Sequence, residues 1–302
     1  MASLSYILLA AVIWQSKALE YYAYFMGENL PVTRNISYFD DLFSAGVTEI
    51  IFVGFTVAAN GTITRTFSNE NELLLARQAA NAHGARLSFM TEGAIPFIND
   101  GPAAFSKFYA SVNNMFEKYK FDGINFDWEF PATTDEWKKY RDLMKGTKEN
   151  VEKNGRNANV SVAIATSFDL YKSIDLCGAV DKCLWMGYVY EIGVAVRAIH
   201  GWKSAQGLPT DKFALGVPLY GTNAAGVQIT YFKLIDMGAD PMGNGSFAGY
   251  SYASQPMLQE QVDLAINHSL GGLMCWHLGS DLPPEDTRSL TYAIKQKLKP
   301  GT

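Results

Sequence analysis

Two carboxylates spaced two residues apart, Asp127 and Glu129, stand in the stretch of this chain whose pattern points most directly to chemistry: FDGINFDWEFP, from Phe121 to Pro131. Its residues alternate, with Gly123, Asn125, Asp127 and Glu129 on one parity and Ile124, Phe126, Trp128 and Phe130 on the other. A β-strand sends successive side chains to opposite faces, so Asn125, Asp127 and Glu129 are expected to share one side. A solvated edge strand also alternates, but Ile, Phe and Trp on the second side predict burial of both faces. Carboxylates inside a protein are costly unless paired or hydrogen-bonded, and such groups are poised for general acid and base work.

A strand of this kind needs neighbours that bury it. Strand-like runs are predicted at Tyr21–Met26, Glu49–Val57, Arg86–Thr91, Phe121–Glu129, Asn159–Ala165, Lys182–Tyr190, Lys212–Tyr220 and Gly272–His277. Between the third and fourth, Phe105, Phe108, Tyr109, Val112, Phe116 and Tyr119 recur at helical spacing. Glu70–Ala82, Asp135–Val151, Val194–Ala205 and Gln259–Ile266 also read as helices, while the connection after the fifth strand has no clear period. Strands alternating with helices imply parallel pairing with right-handed crossovers, and eight such units close into a (β/α)8 TIM barrel of one domain. A doubly wound open sheet is the alternative. Met26-Gly27-Glu28-Asn29, after the first strand, lacks the glycine spacing of a phosphate-binding turn.

Barrel enzymes carry their sites at the C-terminal ends of the strands. Asn125, Asp127 and Glu129 climb towards that end, and the same parity turns Met186 and Tyr188 inward on the sixth strand and Met274 and Trp276 on the eighth. Any one of these aromatics or methionines is also ordinary core filler. Together, carboxylates, a phenol and an indole at strand ends suit a sugar, whose rings stack on aromatic faces while its hydroxyls take hydrogen bonds.

Composition sets bounds on partners and compartment. The 302 residues are 48% hydrophobic and 18% charged with a net charge of −5, which argues against a general nucleic-acid or anionic-membrane binder. The apolar run Leu4–Trp14, followed by Ser16-Lys17-Ala18, reads as a signal peptide over residues 1–18, leaving a mature domain of 19–302 without stable membrane insertion. Five N-x-S/T sequons, at Asn35, Asn60, Asn159, Asn244 and Asn267, fit a secreted, N-glycosylated protein. Of the cysteines, Cys177 and Cys183 are close enough to bridge, and Cys275 lies in an apolar run as a buried thiol. His83, His200, His268 and His277 are scattered, with no zinc-ligand spacing, so neither a metal nor a cofactor is expected. Glu28, Glu92 and Glu191, near strand ends, are read as solvated loop carboxylates. No sequence feature fixes an oligomeric state.

FDGINFDWEFP resembles the fourth-strand signature DGxDxDWE of family-18 glycoside hydrolases, the chitinases and their lectin-like relatives, at Asp122, Gly123, Asp127, Trp128 and Glu129. Phe213–Gly221 (FALGVPLYG) is similar to the family's seventh strand, Gly271–Asp281 (GGLMCWHLGSD) to its eighth, and Met186-Gly187-Tyr188 to the start of its sixth-strand motif. The resemblance implies substrate-assisted, retaining cleavage of β-1,4-linked N-acetylglucosamine. Glu129 would be the acid, needing a carboxyl raised by burial beside Asp127. Asp127 would be the partner of the acetamide N–H, Tyr188 the group that orients the acetamide oxygen, and Trp276 the floor under the sugar. Asn125, Met186, Tyr24 and Tyr220 are expected to complete the binding site. Partners so implied are chitin, chitooligosaccharide or another N-acetylglucosamine-containing glycan. About fifty residues, Thr222 to Leu270, separate the seventh and eighth strands, room for at most a short insertion and therefore a shallow cleft. Three positions depart from the pattern: Asn125 replaces the first aspartate, Val189 the sixth-strand aspartate, and Ser88–Gly93 the third-strand SxGG. A lectin that binds chitooligosaccharides without cutting them, or an endo-β-N-acetylglucosaminidase acting on N-glycans, are the alternatives.

Overall fold

The computed structural model describes residues 19–26, 34–66, 70–205 and 208–299. The expected leader, residues 1–18, and Glu28 lie outside the described residues. Eight strands run β1 (Glu20–Phe25), β2 (Glu49–Val57), β3 (Arg86–Glu92), β4 (Gly123–Asp127), β5 (Asn159–Ile164), β6 (Lys182–Trp185), β7 (Phe213–Pro218) and β8 (Gly272–Trp276). Each pairs in parallel with the next, and β8 pairs with β1, so the sheet closes on itself. The chain is a (β/α)8 barrel, as its alternating pattern predicts. No described helix is long and apolar enough to cross a membrane.

A helix follows every strand: α1 (Ile36–Ser44), α2 (Glu70–His83), α3 (Pro102–Tyr119), α4 (Thr134–Lys153), α5 (Phe168–Ser173), α6 (Ile192–Ser204), α7 (Gln255–Asn267) and α8 (Leu290–Leu298). The periodic face of α3 packs Phe108, Val112 and Phe116 into the main core, between sheet and helices. A smaller core lies inside the barrel, where Tyr24, Ile51, Met90, Leu184 and Met274 are buried. Covering both faces explains why strands such as β7 are buried at every residue.

Local chemistry fixes the position of β4. A Cβ on Gly123 would meet Ser88 Oγ at 2.3 Å and Asn159 O at 2.5 Å, so only glycine lets β3 and β5 close on it. Asp122 pairs with Arg77 of α2 and accepts from the backbone N–H of Leu87 at 2.9 Å. The Asp-Gly of the signature therefore docks the strand and takes no part in the site.

Two expected strand ends are corrected, and one helix and a small sheet are added. The strand expected to reach Glu129 ends at Asp127, and the one expected to reach Tyr190 ends at Trp185. In both places the alternation outlasts the pairing, because apolar side chains beyond the strand still pack outward: Trp128 lies 5.4 Å from the Tyr140 ring. Helix α1 was not anticipated from periodicity, although Asn35 caps it by accepting from Tyr38 N. Between β7 and α7 the chain builds a small antiparallel sheet from Tyr220–Asn223, Gln228–Thr230, Ser246–Phe247 and Tyr250–Tyr252, with a short helix at Tyr231–Asp236. Cys177 and Cys183 are disulfide-bonded, and Cys275 is buried and free.

Candidate active site

Asp127 closes β4, and Glu129 follows it two residues later on the loop. The loop is held from outside. Trp128 donates its backbone N–H to Tyr140 Oη at 3.2 Å, and Phe130 stacks on Trp137 at 6.4 Å between ring centroids. With Trp128 and Phe130 anchored to α4, Glu129 is left beside Asp127.

Both carboxylates line a cavity of about 540 Å³ at the C-terminal end of the barrel, within the range that holds small ligands. Tyr24, Met186, Tyr188, Tyr220 and Trp276 line it too, with Phe130, Ala165 and Gln228. Tyr24 meets the Trp276 ring edge-on at 5.2 Å, and Tyr188 meets Tyr220 at 6.2 Å, so the wall is an aromatic surface with polar tips. Tyr188 holds φ at +38°, a left-handed backbone that an L side chain rarely adopts. Among the described residues, its hydroxyl has a thioether partner alone, Met274 Sδ at 3.6 Å.

Asn125 is placed differently from the expectation. It is fully buried and does not line the cavity. Tyr24 Oη donates to its Oδ1 at 2.8 Å, and its Nδ2 donates to Ser161 Oγ at 2.9 Å. Two residues earlier on the strand than Asp127, it lies one layer deeper and acts on the site through Tyr24.

The carboxyl that burial lifts is Asp127, pushed up to about 7, with the charges of Glu129 and then Glu92 adding to the effect. Asp127 Oδ1 is buried and has no hydrogen-bond partner among the described residues. Glu92 is exposed at the end of β3, as expected of a loop carboxylate, yet its charge reaches Asp127. Burial and the nearby Asp127 charge push the Tyr188 phenol well above its usual value, keeping it a neutral donor.

A cavity with an aromatic wall, a carboxyl pair and a neutral phenol at the strand ends of a barrel invites comparison with known proteins. The model of the family described as Glycosyl hydrolases family 18 matches residues 24–281. The chain belongs to that family.

Solved structures share the fold of this family-18 chain. A chitinase from Rhizomucor miehei is 20% identical with a TM-score of 0.72, covering 92% of this chain and 99% of its own. A mutant class V chitinase from Nicotiana tobaccum in complex with NAG4 is 15% identical with a TM-score of 0.74, covering 94% and 99%. A group IV chitinase from Ostrinia furnacalis in complex with allosamidin is 16% identical with a TM-score of 0.76, covering 93% and 99%.

Three cavity residues escaped the sequence reading. Phe130 was assigned the outer parity, and it does stack on Trp137 of α4, but it also borders the cavity. Ala165 directly follows β5, and the strand-end rule applied there would have found it. Gln228 arrives on the antiparallel sheet, and no local signal marks it. Of the departures from the family pattern, Val189 packs against the main core and offers its carbonyl to Gln261 Nε2 at 3.0 Å. Ser88 donates to Glu49 Oε1 at 2.5 Å at the far end of the barrel, away from the carboxylate pair. Glu191 is exposed, and His277 is half-buried with Nε2 3.0 Å from Ser280 Oγ, burial pushing it down to about 4 and keeping it neutral. Among the described residues, no three His, Cys, Asp or Glu are grouped to hold a metal ion.

Proposed function

We propose that this glycoside hydrolase cleaves β-1,4 bonds between N-acetylglucosamine units by a retaining, substrate-assisted reaction, and that it is secreted. The observation that carries the reading is Asp127: a cavity-lining carboxyl, lifted to about 7, whose buried Oδ1 lacks a donor beside the acid Glu129. The N–H of a 2-acetamido group is such a donor. Two structural neighbours, chitinases in complex with NAG4 and with allosamidin, support the same substrate class.

In the free protein the largely buried Asp127 holds a proton up to about pH 7. When the acetamide N–H donates to Asp127, the carboxylate form is stabilised and the proton passes to Glu129. Glu129 then gives it to the glycosidic oxygen as the bond to the anomeric carbon breaks, while the acetamide oxygen, oriented by Tyr188, attacks that carbon. Asp127, now anionic, stabilises the positive charge that spreads over the cyclised acetamide. Water then opens this intermediate, with Glu129 recovering its proton, and the anomeric configuration is retained. Trp276 and Tyr24 supply the apolar floor.

Secretion is supported by the apolar leader-like run at residues 4–14 and by the Cys177–Cys183 disulfide, a bond of oxidising compartments.

The deciding experiment is cleavage of a soluble chitooligosaccharide by the purified protein and by Glu129→Gln. Cleavage by the wild type and a loss of about 10³-fold in kcat in the variant, with sugar binding retained, is expected, because an amide donates no proton to the leaving oxygen. Binding without cleavage from acid to neutral pH would make the chain a lectin. Cleavage of a high-mannose N-glycan in preference to the oligosaccharide would make it an endo-β-N-acetylglucosaminidase.

A further inference from the structure

The five sequons divide by their place in the barrel. Asn35, Asn60 and Asn244 lie in the connections that leave the C-terminal ends of β1, β2 and β7, the face that carries the cavity. Asn267 ends α7 on the opposite face, where Asn159 begins β5. In four of the five, both the asparagine and its hydroxyl residue two positions on are exposed: Asn35 with Ser37, Asn60 with Thr62, Asn244 with Ser246, and Asn267 with Ser269.

Hydrogen bonding sharpens the division. Asn60 Oδ1 accepts from Thr62 N at 3.0 Å and from Thr62 Oγ1 at 2.7 Å. Asn35 Oδ1 accepts from Ser37 Oγ at 2.7 Å and Tyr38 N at 3.2 Å, and Asn244 Oδ1 from Ser246 N at 3.2 Å. Every one of these bonds uses the amide oxygen and leaves Nδ2, the atom to which a glycan is joined, unbonded on an exposed side chain. Asn159 is the reverse: its Nδ2 donates at 2.8 Å to Glu49, which is fully buried, and Ser161 is fully buried with its Oγ accepting from Asn125. A glycan there would have to break the packing of β4 against β5.

The cavity face has a second property. Among the described residues the one exposed Phe, Tyr or Trp is Phe130, at 41% exposure, and it belongs to the cavity wall. Docking on the flat face of a packed polysaccharide requires a level platform of exposed rings around the cleft, because stacking on sugars is what holds such a surface. Among the described residues, the rim offers exposed sequons and the single ring of Phe130.

We propose that Asn35, Asn60 and Asn244 carry N-linked glycans on the cleft face and Asn267 one on the far face, that Asn159 carries none, and that the glycosylated rim confines the enzyme to single soluble chains. The last part rests on the hydrolase reading. Glycan transfer forms a bond from Nδ2 to C1 of an oligosaccharide, breaks that carbon's bond to a lipid pyrophosphate, and releases the amide proton. Bulky, hydrated chains then stand around the cleft and hold a flat crystal away, while a single chain still enters.

The test uses the full chain, expressed through the secretory pathway of a eukaryotic cell and mapped by glycopeptide mass spectrometry. Glycans at the three cleft-face sites and at Asn267, with a bare Asn159, are expected. A glycan on Asn159, bare cleft-face sites, or a protein that never enters the pathway overturns the assignment. The triple variant Ser37→Ala, Thr62→Ala, Ser246→Ala removes the cleft-face sequons while keeping each asparagine and its hydrogen bonds to backbone N–H. Wild type is expected to cut soluble oligosaccharide at least about tenfold faster than crystalline chitin, and the variant to narrow that gap at an unchanged soluble rate. An equal gap in both proteins overturns the role of the glycans. Failure of the wild type to cut either substrate overturns the hydrolase reading, and the glycopeptide map then still decides the sites.

Discussion

At the N-terminal mouth of the barrel Glu49 is fully buried and accepts from Arg86 Nε at 2.7 Å, Ser88 Oγ at 2.5 Å and Asn159 Nδ2 at 2.8 Å. At the C-terminal mouth Asp127 is also largely buried, but its Oδ1 accepts from nothing. Burial raises the carboxyl in both places. At Glu49 the Arg86 charge and the hydrogen bonds pull against it, whereas at Asp127 the neighbouring carboxylates push the same way. One mouth is a closed polar network, further tied by Glu20, which its partners hold down to about 2. The other stores an unmet demand for a donor. A buried carboxylate is structural when its lone pairs are filled from within, and available for chemistry when one is left for a substrate.

Substitutions at the two mouths should separate these roles, with the largest loss of stability expected at the closed one. Glu49→Leu leaves Ser88, Asn159 and Arg86 Nε without their acceptor and should cost about 3 kcal/mol, a Tm lower by roughly 6 °C or more, with kcat of the folded protein little changed. A large loss of kcat with normal Tm would mean that the floor of the barrel takes part in the reaction.

Asp127→Asn should do the opposite. Between about pH 4 and 7 the folded protein holds a proton on Asp127 that the unfolded chain has released, so wild-type stability falls as pH rises through that window. Above it the neutral variant should be the more stable protein, by up to about 4 kcal/mol, with no advantage at the acid end and with hydrolysis lost. Thermal melts of both proteins across this range check the sign, and a variant destabilised at every pH would place Asp127 with Glu49 as a structural group.

Smaller effects grade the layer between the mouths. Tyr24→Phe removes the hydroxyl that donates to Asn125 Oδ1 and should cost about 1 kcal/mol of stability, with a modest fall in kcat as the Trp276 contact loosens. An unchanged Tm would show that Asn125 is held by Ser161 alone. Gln228→Ala, at the rim, should raise KM a few-fold at constant kcat, because it removes a contact made equally to bound substrate and transition state.

Much of this was legible in the chain. Each of the eight predicted strands exists, because strands covered on both faces are short apolar runs bounded by turn residues. Asp127, Glu129, Met186, Tyr188 and Trp276, singled out by parity and strand-end position, all line one cavity, as do Tyr24 and Tyr220. Parity did not show where pairing stopped. It carried β4 and β6 too far, put Phe130 outside, and ranked Asn125 with the binding residues when its place is one layer below them. It also had no bearing on Gln228, whose position depends on an antiparallel sheet that few local cues announce. Asn35 shows a different loss: read as a sequon, it is also the cap that starts α1.

The sequence by itself determined the barrel and the place of the carboxylate pair at a strand end, since periodicities of 2 and 3.6 and the FDGINFDWEFP pattern are local properties. Only the tertiary structure decided which carboxyl is lifted and which is satisfied. Desolvation and hydrogen-bond supply depend on residues far apart in the chain: Tyr24, Ser161 and Glu92 around the upper end of β4, and Arg86 and Asn159 around Glu49. Those neighbours meet only when the barrel closes.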